Sequence, residues 1–250
     1  LNIDEAAFSA PRNFTHTIVG DAGTGVAALT ELIVSQTGGD QPCWADDLDQ
    51  IRERAQARLE GIDPQRAYVS ALRDAMPDDT CLVNELTQVG YVARYALPIH
   101  HPRSYIDPGY QGTLGYGYPT AIGAAVGNPD RPVVSVTGDG GFGYGMSEMA
   151  TVMAHDIPLV CVVFRDDAFG NVQRMHKQKF DGDFHGTTLV NPDFVALAAA
   201  YDMDGYRAES PDELRSHLSA AIDARKPALI DVPLGETPDP WPSVMRPHEG

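Results

Sequence analysis

The segment 131–170 constrains the fold more than any other part of the 250-residue sequence. Two apolar, β-branched runs, 132–137 and 159–164, flank a predicted glycine-rich turn and a helix. Such runs are typical of strands that are covered on both faces of a parallel sheet. Asp139 follows the first run and Asp166 follows the second. Because ligands bind at the carboxyl ends of parallel strands, we expect both carboxylates to meet in one crevice, beside a helix start suited to phosphate.

Two ligands are compatible with this segment. The pattern Gly138-x-Gly140-x-x-Gly143 formally matches the dinucleotide fingerprint, which predicts NAD. However, Asp139 occupies the position where a pyrophosphate would lie, and a carboxylate repels that anion unless a cation lies between them. A hard divalent cation removes the conflict by taking oxygen ligands from Asp139, from Asp166 and from a nearby backbone carbonyl. A solvated glycine-rich turn without any ligand is the remaining alternative.

The motif residues resemble the thiamine diphosphate signature. Gly138-Asp139-Gly140 is followed, 166 − 139 = 27 residues after the aspartate, by Asp166-Asp167-Ala168-Phe169-Gly170. The surrounding sequence is similar to the acetohydroxyacid synthase and 2-oxoacid decarboxylase group over most of the chain. The resemblance implies that Mg²⁺ on the cofactor's diphosphate is held by Asp139, Asp166 and the carbonyl of Ala168. It also implies that the cofactor is bound by Gly138, Gly140, Gly141, Phe169 and Gly170.

One position departs from the family pattern. Arg165 stands where relatives usually carry asparagine, directly before the ligand Asp166. The second carboxylate adds negative charge, and we expect Arg165 to offset it.

Two further segments carry predicted cofactor contacts. Thr87 and Gln88 lie between a predicted strand and a helix, on the same edge of the sheet as Asp139, and the resemblance implies that they touch the diphosphate. Ordinary helix capping is the alternative for these polar groups. The glycine-rich stretch 109–127 contains the other contacts. The resemblance implies that Gly112 and Thr113 border the aminopyrimidine, and that Leu114 forces the cofactor into the bent conformer that catalysis requires.

Composition excludes several classes of partner. The chain carries 18 basic and 35 acidic residues, a formal charge of −17, and no basic cluster. Nucleic acid and anionic membranes are therefore unfavourable partners. The sequence shows no apolar run of membrane-spanning length and no signal peptide, so we expect a cytoplasmic protein. Cys43, Cys81 and Cys161 are predicted to be free thiols, the last two buried in strands.

Alternating strands and helices predict an α/β fold with a doubly wound, mainly parallel sheet. The predicted diphosphate- and Mg²⁺-binding domain spans 59–235. Residues 1–36 resemble the last β-α segment of the family's central domain, with predicted strands at 1–4 and 17–19 and a helix capped by Asp21. A linker and a helix occupy 37–58, and an irregular tail occupies 236–250.

The resemblance implies a thiamine diphosphate-dependent lyase or transferase that decarboxylates a 2-oxo acid and carries out carboligation, similar to acetolactate synthase. Related hydrolases or oxidoreductases and a non-catalytic cofactor-binding subunit are the alternatives. Family members need a glutamate on a separate pyrimidine-binding domain, and neither Glu85, on the diphosphate edge, nor Glu148 suits that role. We therefore expect a chain that is inactive alone and joins another polypeptide in a hetero-oligomer. His100 and His101 are expected at the surface. The polar stretch 171–186 either covers the active site, as the resemblance implies, or forms a solvated loop, and no catalytic role is assigned to it.

Overall fold

In the computed structural model the described residues are 1–9, 13–38 and 45–244, without the side chains of residues 45 and 46. The chain forms two compact units, Leu1–Arg54 and Ala55–Gly250. Cys43, most of the predicted linker and the last part of the predicted tail lie outside the described residues.

The first unit contains the predicted helix but not the predicted strands. Helix α1 (Ala22–Thr37) begins where Asp21 accepts a hydrogen bond from the Thr24 amide at 2.9 Å, as expected of an N-cap. The strands predicted at 1–4 and 17–19 are wrong, because the two segments share only one parallel bridge, between Asn2 and Val19. Among the described residues of this unit no third strand supports so short a pair. None of the α1 side chains is buried.

The second unit is built on a six-stranded sheet in which every neighbouring pair is parallel. The strand order is β2-β1-β3-β4-β6-β5. The strands are β1 (Cys81–Asn84), β2 (Tyr105–Ile106), β3 (Val133–Gly138), β4 (Leu159–Arg165), β5 (Asp204–Arg207) and β6 (Ala228–Pro233). The sequence did not predict β2 and β5, which are short, only partly buried edge strands without a continuous apolar run.

Helices cover both faces of this sheet and confirm the doubly wound α/β class. The helices after α1 are α2 (Ala45–Arg58), α3 (Gln65–Ala75), α4 (Gln88–Ala96), α5 (Gly117–Gly127), α6 (Asp139–Gly145), α7 (Met149–Ala154), α8 (Gly170–Lys179), α9 (Phe194–Ala200), α10 (Pro211–Ala224) and α11 (Trp241–Val244). On one face α3, α4 and α10 pack against alternate strand residues such as Val134 and Ile230. On the other face α5, α6, α7 and α9 pack against Val133, Cys161 and Leu229.

Three local predictions are corrected. The predicted glycine-rich turn after β3 is helical, because α6 buries Phe142 completely between Tyr118 and Phe194. Tertiary packing outweighs the low helix propensity of glycine there. The polar stretch 171–186, for which a solvated loop is one expectation, begins with α8, and the tail contains the short helix α11. The buried free thiols of Cys81 and Cys161 are confirmed, and burial raises the pKa of both.

The strand order fixes where a ligand can bind. After β1 the chain adds β2 on one side and then β3 on the other side of β1. The connections therefore separate at the carboxyl ends of β1 and β3 and leave a crevice between them, as at the switch point of other open parallel sheets. In the described part of the chain, no helix is both long and apolar enough to span a bilayer.

Candidate functional site

A crevice of about 410 Å³ opens at the carboxyl edge of the sheet. The segments after β1, β3 and β4 line it, together with the loop before α5. Every residue that the sequence predicts as a cofactor or metal contact lies in its wall. These residues are Thr87, Gln88, Gly112, Thr113, Leu114, Gly138, Asp139, Gly140, Gly141, Asp166, Ala168, Phe169 and Gly170.

Asp139 is held in place by three donors. It is the first residue of α6, only 2% exposed, and its Oδ1 accepts a hydrogen bond from the Gly140 amide at 2.9 Å. Its Oδ2 accepts from the Asp167 amide at 2.8 Å and from Asn191 Nδ2 at 2.7 Å. These bonds fix the orientation of the carboxylate before any ligand arrives.

Asp139 and Asp166 share one electrostatic environment. Burial raises the pKa of Asp139, although its three hydrogen bonds oppose the shift. Burial and the charge of Asp139 together raise the pKa of Asp166 to about 7. Asp139 is buried and Asp166 is partly buried, and two such neighbouring carboxylates cannot both be ionised without cost. A cation between them would remove that cost.

The loop that follows Asp166 places Ala168 in the wall of the same crevice. The Phe169 amide donates to Thr187 O and the Leu189 amide donates to Asp167 O, both at 2.8 Å. These bonds secure the residues on either side of Ala168. In the described ranges, the Ala168 carbonyl accepts no hydrogen bond, so its oxygen is available as a ligand.

Arg165 bonds to two other carboxylates and not to Asp166, so whether it offsets the charge of Asp166 stays a prediction. Its guanidinium binds Asp231 through Nε at 3.0 Å and Nη2 at 3.2 Å, and Asp167 through Nη1 at 3.1 Å. Asp231 lies on β6, is 0% exposed, and also accepts from Arg207 Nε at 3.1 Å. Arg165 pairs with Asp231 because a fully buried carboxylate is stable only beside a cation.

The crevice has two walls. Asp139, Asp166 and the loop after β4 form the acidic wall, and the loop 112–117 with the start of α4 forms the loop wall opposite. Leu114 is 47% exposed and stands in the crevice wall. Thr87 is the N-cap of α4, yet its side chain makes no capping hydrogen bond. The helix-capping alternative is therefore not used by Thr87, whose hydroxyl is free to donate to a ligand.

Sequence reasoning missed several residues of the crevice wall. They are Leu86, Tyr91, Tyr144, Asn171 and Val172. Tyr91 follows Thr87 by one helical turn, so helical periodicity is the signal that identifies it. Asn171 directly follows the predicted contact Gly170, and only its place beside the motif indicates it. Asn191, which binds Asp139, gives no local signal because the two residues are 52 positions apart.

Asn171 is oriented by residues outside the crevice. Its Oδ1 accepts from Arg174 Nη2 at 3.0 Å and from Trp241 Nε1 at 3.3 Å. Trp241 in turn packs on Tyr91, with 4.8 Å between the ring centroids.

None of the histidines in the described ranges lines the crevice. His100 and His101 are exposed, as predicted. His176 and His185 do not line the wall either.

The residues present fit a magnesium diphosphate. Among the described residues that line the crevice, none is lysine or arginine. The described residues also contain no group of three or more His, Cys, Asp or Glu side chains arranged for a metal. The available metal ligands are instead two carboxylates and one carbonyl oxygen. This set suits a hard cation whose remaining ligands come from phosphate and water.

Comparison with protein families gives one match over the second unit. Residues 87–232 match the model of the thiamine pyrophosphate enzyme, C-terminal TPP binding domain. The matched range begins at Thr87 and includes both aspartates.

Individual proteins are similar over more of the chain. One is described as a probable acetolactate synthase large subunit from Methanocaldococcus jannaschii, 31% identical over 246 residues, which are 93% of this chain and 41% of that protein. The sulfoacetaldehyde acetyltransferase of Castellaniella defragrans is 32% identical over 189 residues, 74% of this chain and 31% of that protein. The chain thus spans less than half the length of these relatives.

A solved structure shares the fold. It is the thiamine diphosphate-dependent 4-hydroxybenzoylformate decarboxylase of Rhodococcus jostii RHA1, with a TM-score of 0.64 and 29% identity. The similarity covers 68% of this chain and 32% of that protein.

Proposed function

The chain belongs to the thiamine pyrophosphate enzymes, and from this premise we propose that it supplies the Mg²⁺- and diphosphate-binding half of the active site of a 2-oxo acid decarboxylase or carboligase similar to acetolactate synthase. The observation that carries the proposal is the charge of the crevice. Asp139 and Asp166 converge there, and the lining described above has no basic side chain. A diphosphate enters such a crevice only together with a cation.

Each wall has its own task in this proposal. Asp139, Asp166 and the Ala168 carbonyl hold Mg²⁺, and the Thr87 hydroxyl donates to a diphosphate oxygen. Leu114 supports the bent conformation of the cofactor from the other wall. When bound, thiamine diphosphate supplies the electron sink that stabilises the carbanion left by the departing CO₂.

Calorimetry with four ligand mixtures tests this proposal. Thiamine diphosphate and NAD are each titrated into the chain with Mg²⁺ and with excess EDTA. We expect heat of binding only for thiamine diphosphate with Mg²⁺. Unchanged affinity in EDTA contradicts the metal site, and Mg²⁺-independent binding of NAD instead supports the dinucleotide alternative.

The proposal includes a partner that completes the active site. Glu85 is the only glutamate in the described crevice lining, and its side chain is 4% exposed and bound to this chain's own donors. Glu148 accepts a hydrogen bond from the Thr151 hydroxyl at 2.7 Å and is outside the lining. Neither glutamate is available to a cofactor ring. A polypeptide with the pyrimidine-binding domain therefore supplies this group in a hetero-oligomer.

A turnover assay tests the need for a partner. The purified chain is incubated with thiamine diphosphate, Mg²⁺ and pyruvate or other 2-oxo acids, and released CO₂ is measured. We expect none from the chain alone. Sustained turnover by a homogeneous preparation contradicts the split active site and leaves the metal-site proposal standing.

A further inference from the structure

Glu85 connects the loop wall of the crevice to the sheet. It follows β1 and is 4% exposed. Its Oε1 accepts from the Gly115 amide at 2.9 Å, and its Oε2 accepts from the Gly117 amide at 3.0 Å and from the Thr137 hydroxyl at 2.7 Å. All three partners are donors, so the side chain serves as an acceptor for two loop amides and one strand hydroxyl.

Two glycines make room for this carboxylate. A Cβ atom at Gly117 would lie 2.7 Å from Glu85 Oε2, and a Cβ atom at Gly141 would lie 2.1 Å from Oε1. Any larger residue at either position displaces Glu85. The glycines at 117 and 141 are therefore explained by the packing of Glu85, whether or not a ligand is bound.

The bonds of Glu85 hold the backbone directly after Leu114. Gly115 and Gly117 follow Leu114 by one and three residues, and Gly115 has a positive φ of 79°. At the other end of the loop Leu86 packs directly against Gly112. A Cβ atom on Gly112 would lie only 2.5 Å from Leu86 Cδ1. Leu114, which is 47% exposed, thus keeps its place through backbone bonds and not through its own burial.

We infer that Glu85 is a positioning residue. By holding the backbone at Gly115 and Gly117 it fixes the position of Leu114 in the crevice, and thereby the fit of the cofactor's two rings. This inference rests on the proposed function. Glu85 does not touch the cofactor in it, and the diphosphate end depends on Asp139 and Asp166 instead. Loss of Glu85 bonding consequently weakens binding of the rings and spares binding of the diphosphate.

Glu85→Gln tests the inference with the least change in shape. A carboxamide has one oxygen and one nitrogen, and the two loop amides bond to different oxygens of Glu85. In either orientation one loop N–H therefore faces an NH₂ group and loses its acceptor. Hydrogen–deuterium exchange of peptides covering 109–118 is expected to accelerate in the ligand-free variant.

Calorimetry separates the two ends of the cofactor. Thiamine diphosphate and inorganic pyrophosphate are each titrated in the presence of Mg²⁺. For Glu85→Gln we expect an affinity loss of about tenfold for thiamine diphosphate. For pyrophosphate we expect less than about a twofold change, since Asp139 and Asp166 anchor it through Mg²⁺ and the Glu85 side chain makes no bond to Thr87.

Thr137→Val is the matched control. It removes only the strand hydroxyl from Glu85 Oε2 and leaves both loop amides with their oxygens. We expect exchange of 109–118 and the affinity ratio of the two ligands to stay as in the wild type. If Thr137→Val has the same effects as Glu85→Gln, general disturbance of a buried site explains them and the inference is overturned.

The remaining outcomes are also decisive. Unchanged loop exchange in Glu85→Gln, or equal losses for both ligands, overturns the inference while wild-type binding still supports the proposed function. Wild-type protein that binds neither ligand refutes the proposed function itself. If Glu85→Gln does not fold, Glu85→Asp gives the same comparison, because its charge is kept and its reach is one methylene shorter.

Discussion

The two walls of the crevice surround their carboxylates with opposite charge environments. On the loop wall Glu85 is matched by three donors from the chain itself. On the acidic wall Asp139 and Asp166 face each other, and the pKa of Asp166 is raised to about 7. The carboxylate of the loop wall is therefore matched by donors without a ligand, whereas the two aspartates repel each other in the ligand-free chain. The difference indicates that Glu85 serves the structure of the site, whereas the repulsion between Asp139 and Asp166 costs stability in the ligand-free chain and favours binding of a cation.

The largest expected effect comes from removing a carboxylate of the acidic wall. In Asp139→Ala, Mg²⁺ loses a ligand and Asn191 and the Asp167 amide lose their acceptor. We expect Mg²⁺-dependent binding of thiamine diphosphate to fall at least about a hundredfold in calorimetry. The exposed Asp130→Ala is the control and should bind as the wild type does. If Asp139→Ala keeps its affinity for thiamine diphosphate with Mg²⁺, the acidic wall does not bind the cation and the contrast with the loop wall is wrong.

The second effect concerns the support behind the acidic wall. Arg165→Met leaves the fully buried Asp231 with Arg207 as its remaining partner. Breaking a buried pair in this way should lower the free energy of unfolding by about 3 kcal/mol. Arg215→Met, which removes an exposed pair with Asp212, should cost less than about 0.5 kcal/mol in the same urea titration. Equal costs contradict a structural role for the Arg165 pair.

The third effect is a pH dependence of the ligand-free chain. The folded pKa of Asp166, about 7, exceeds its ordinary value of 3.8. Its protonated form therefore contributes stability that is fully present below about pH 4 and is lost as the pH rises through 7. In EDTA, Asp166→Asn should be more stable than the wild type at pH 8 by on the order of 1–3 kcal/mol, and similar at pH 4.

Binding by Asp166→Asn sharpens the same prediction. A carboxamide oxygen remains a hard ligand, so Mg²⁺ affinity should decrease without being abolished. Urea titrations at the two pH values measure the stability of Asp166→Asn, and calorimetry measures its affinity for Mg²⁺. An unchanged pH profile in the variant shows that Asp166 is not the group responsible.

The smallest effect on binding is expected for Leu114→Ala. The side chain is 47% exposed and the loop amides keep their bonds to Glu85, so stability and diphosphate anchorage should change little. Affinity for thiamine diphosphate should fall less than about threefold, while turnover of the completed assembly should fall more than about tenfold. Equal losses in affinity and turnover identify Leu114 as a packing residue instead.

The sequence predicted the sheet and the acidic wall because both depend on local signals. Apolar runs define β3 and β4, and the aspartates follow each run directly. Parallel topology then brings Asp139 and Asp166 together. The partners that hold these residues were not predictable in this way. Arg165 meets Asp231 across 66 positions, and its place next to Asp166 in the sequence gave no indication of that partner.

The loop wall shows a second limit of sequence reasoning. The position of Glu85 after β1 predicts that it lies at the carboxyl edge of the sheet, and the structure places its backbone there. The direction of its side chain depends on the space left by Gly117 and Gly141, 32 and 56 positions away (117 − 85 = 32; 141 − 85 = 56). Glycines give no sign of what occupies the space beside them, so this contact becomes visible only in three dimensions.

Trp241 gives the site a built-in optical reporter. Its indole N–H binds Asn171 in the crevice wall, its ring lies against Tyr91, and the Arg174 guanidinium lies 5.4 Å from the ring centroid. Indole emission depends on such polar and charged neighbours, and a ligand in the crevice changes them. The sequence has two tryptophans, so Trp44→Phe leaves Trp241 as the single source of this signal. Fluorescence of that variant follows occupancy of the crevice in real time and at protein concentrations far below those that calorimetry needs.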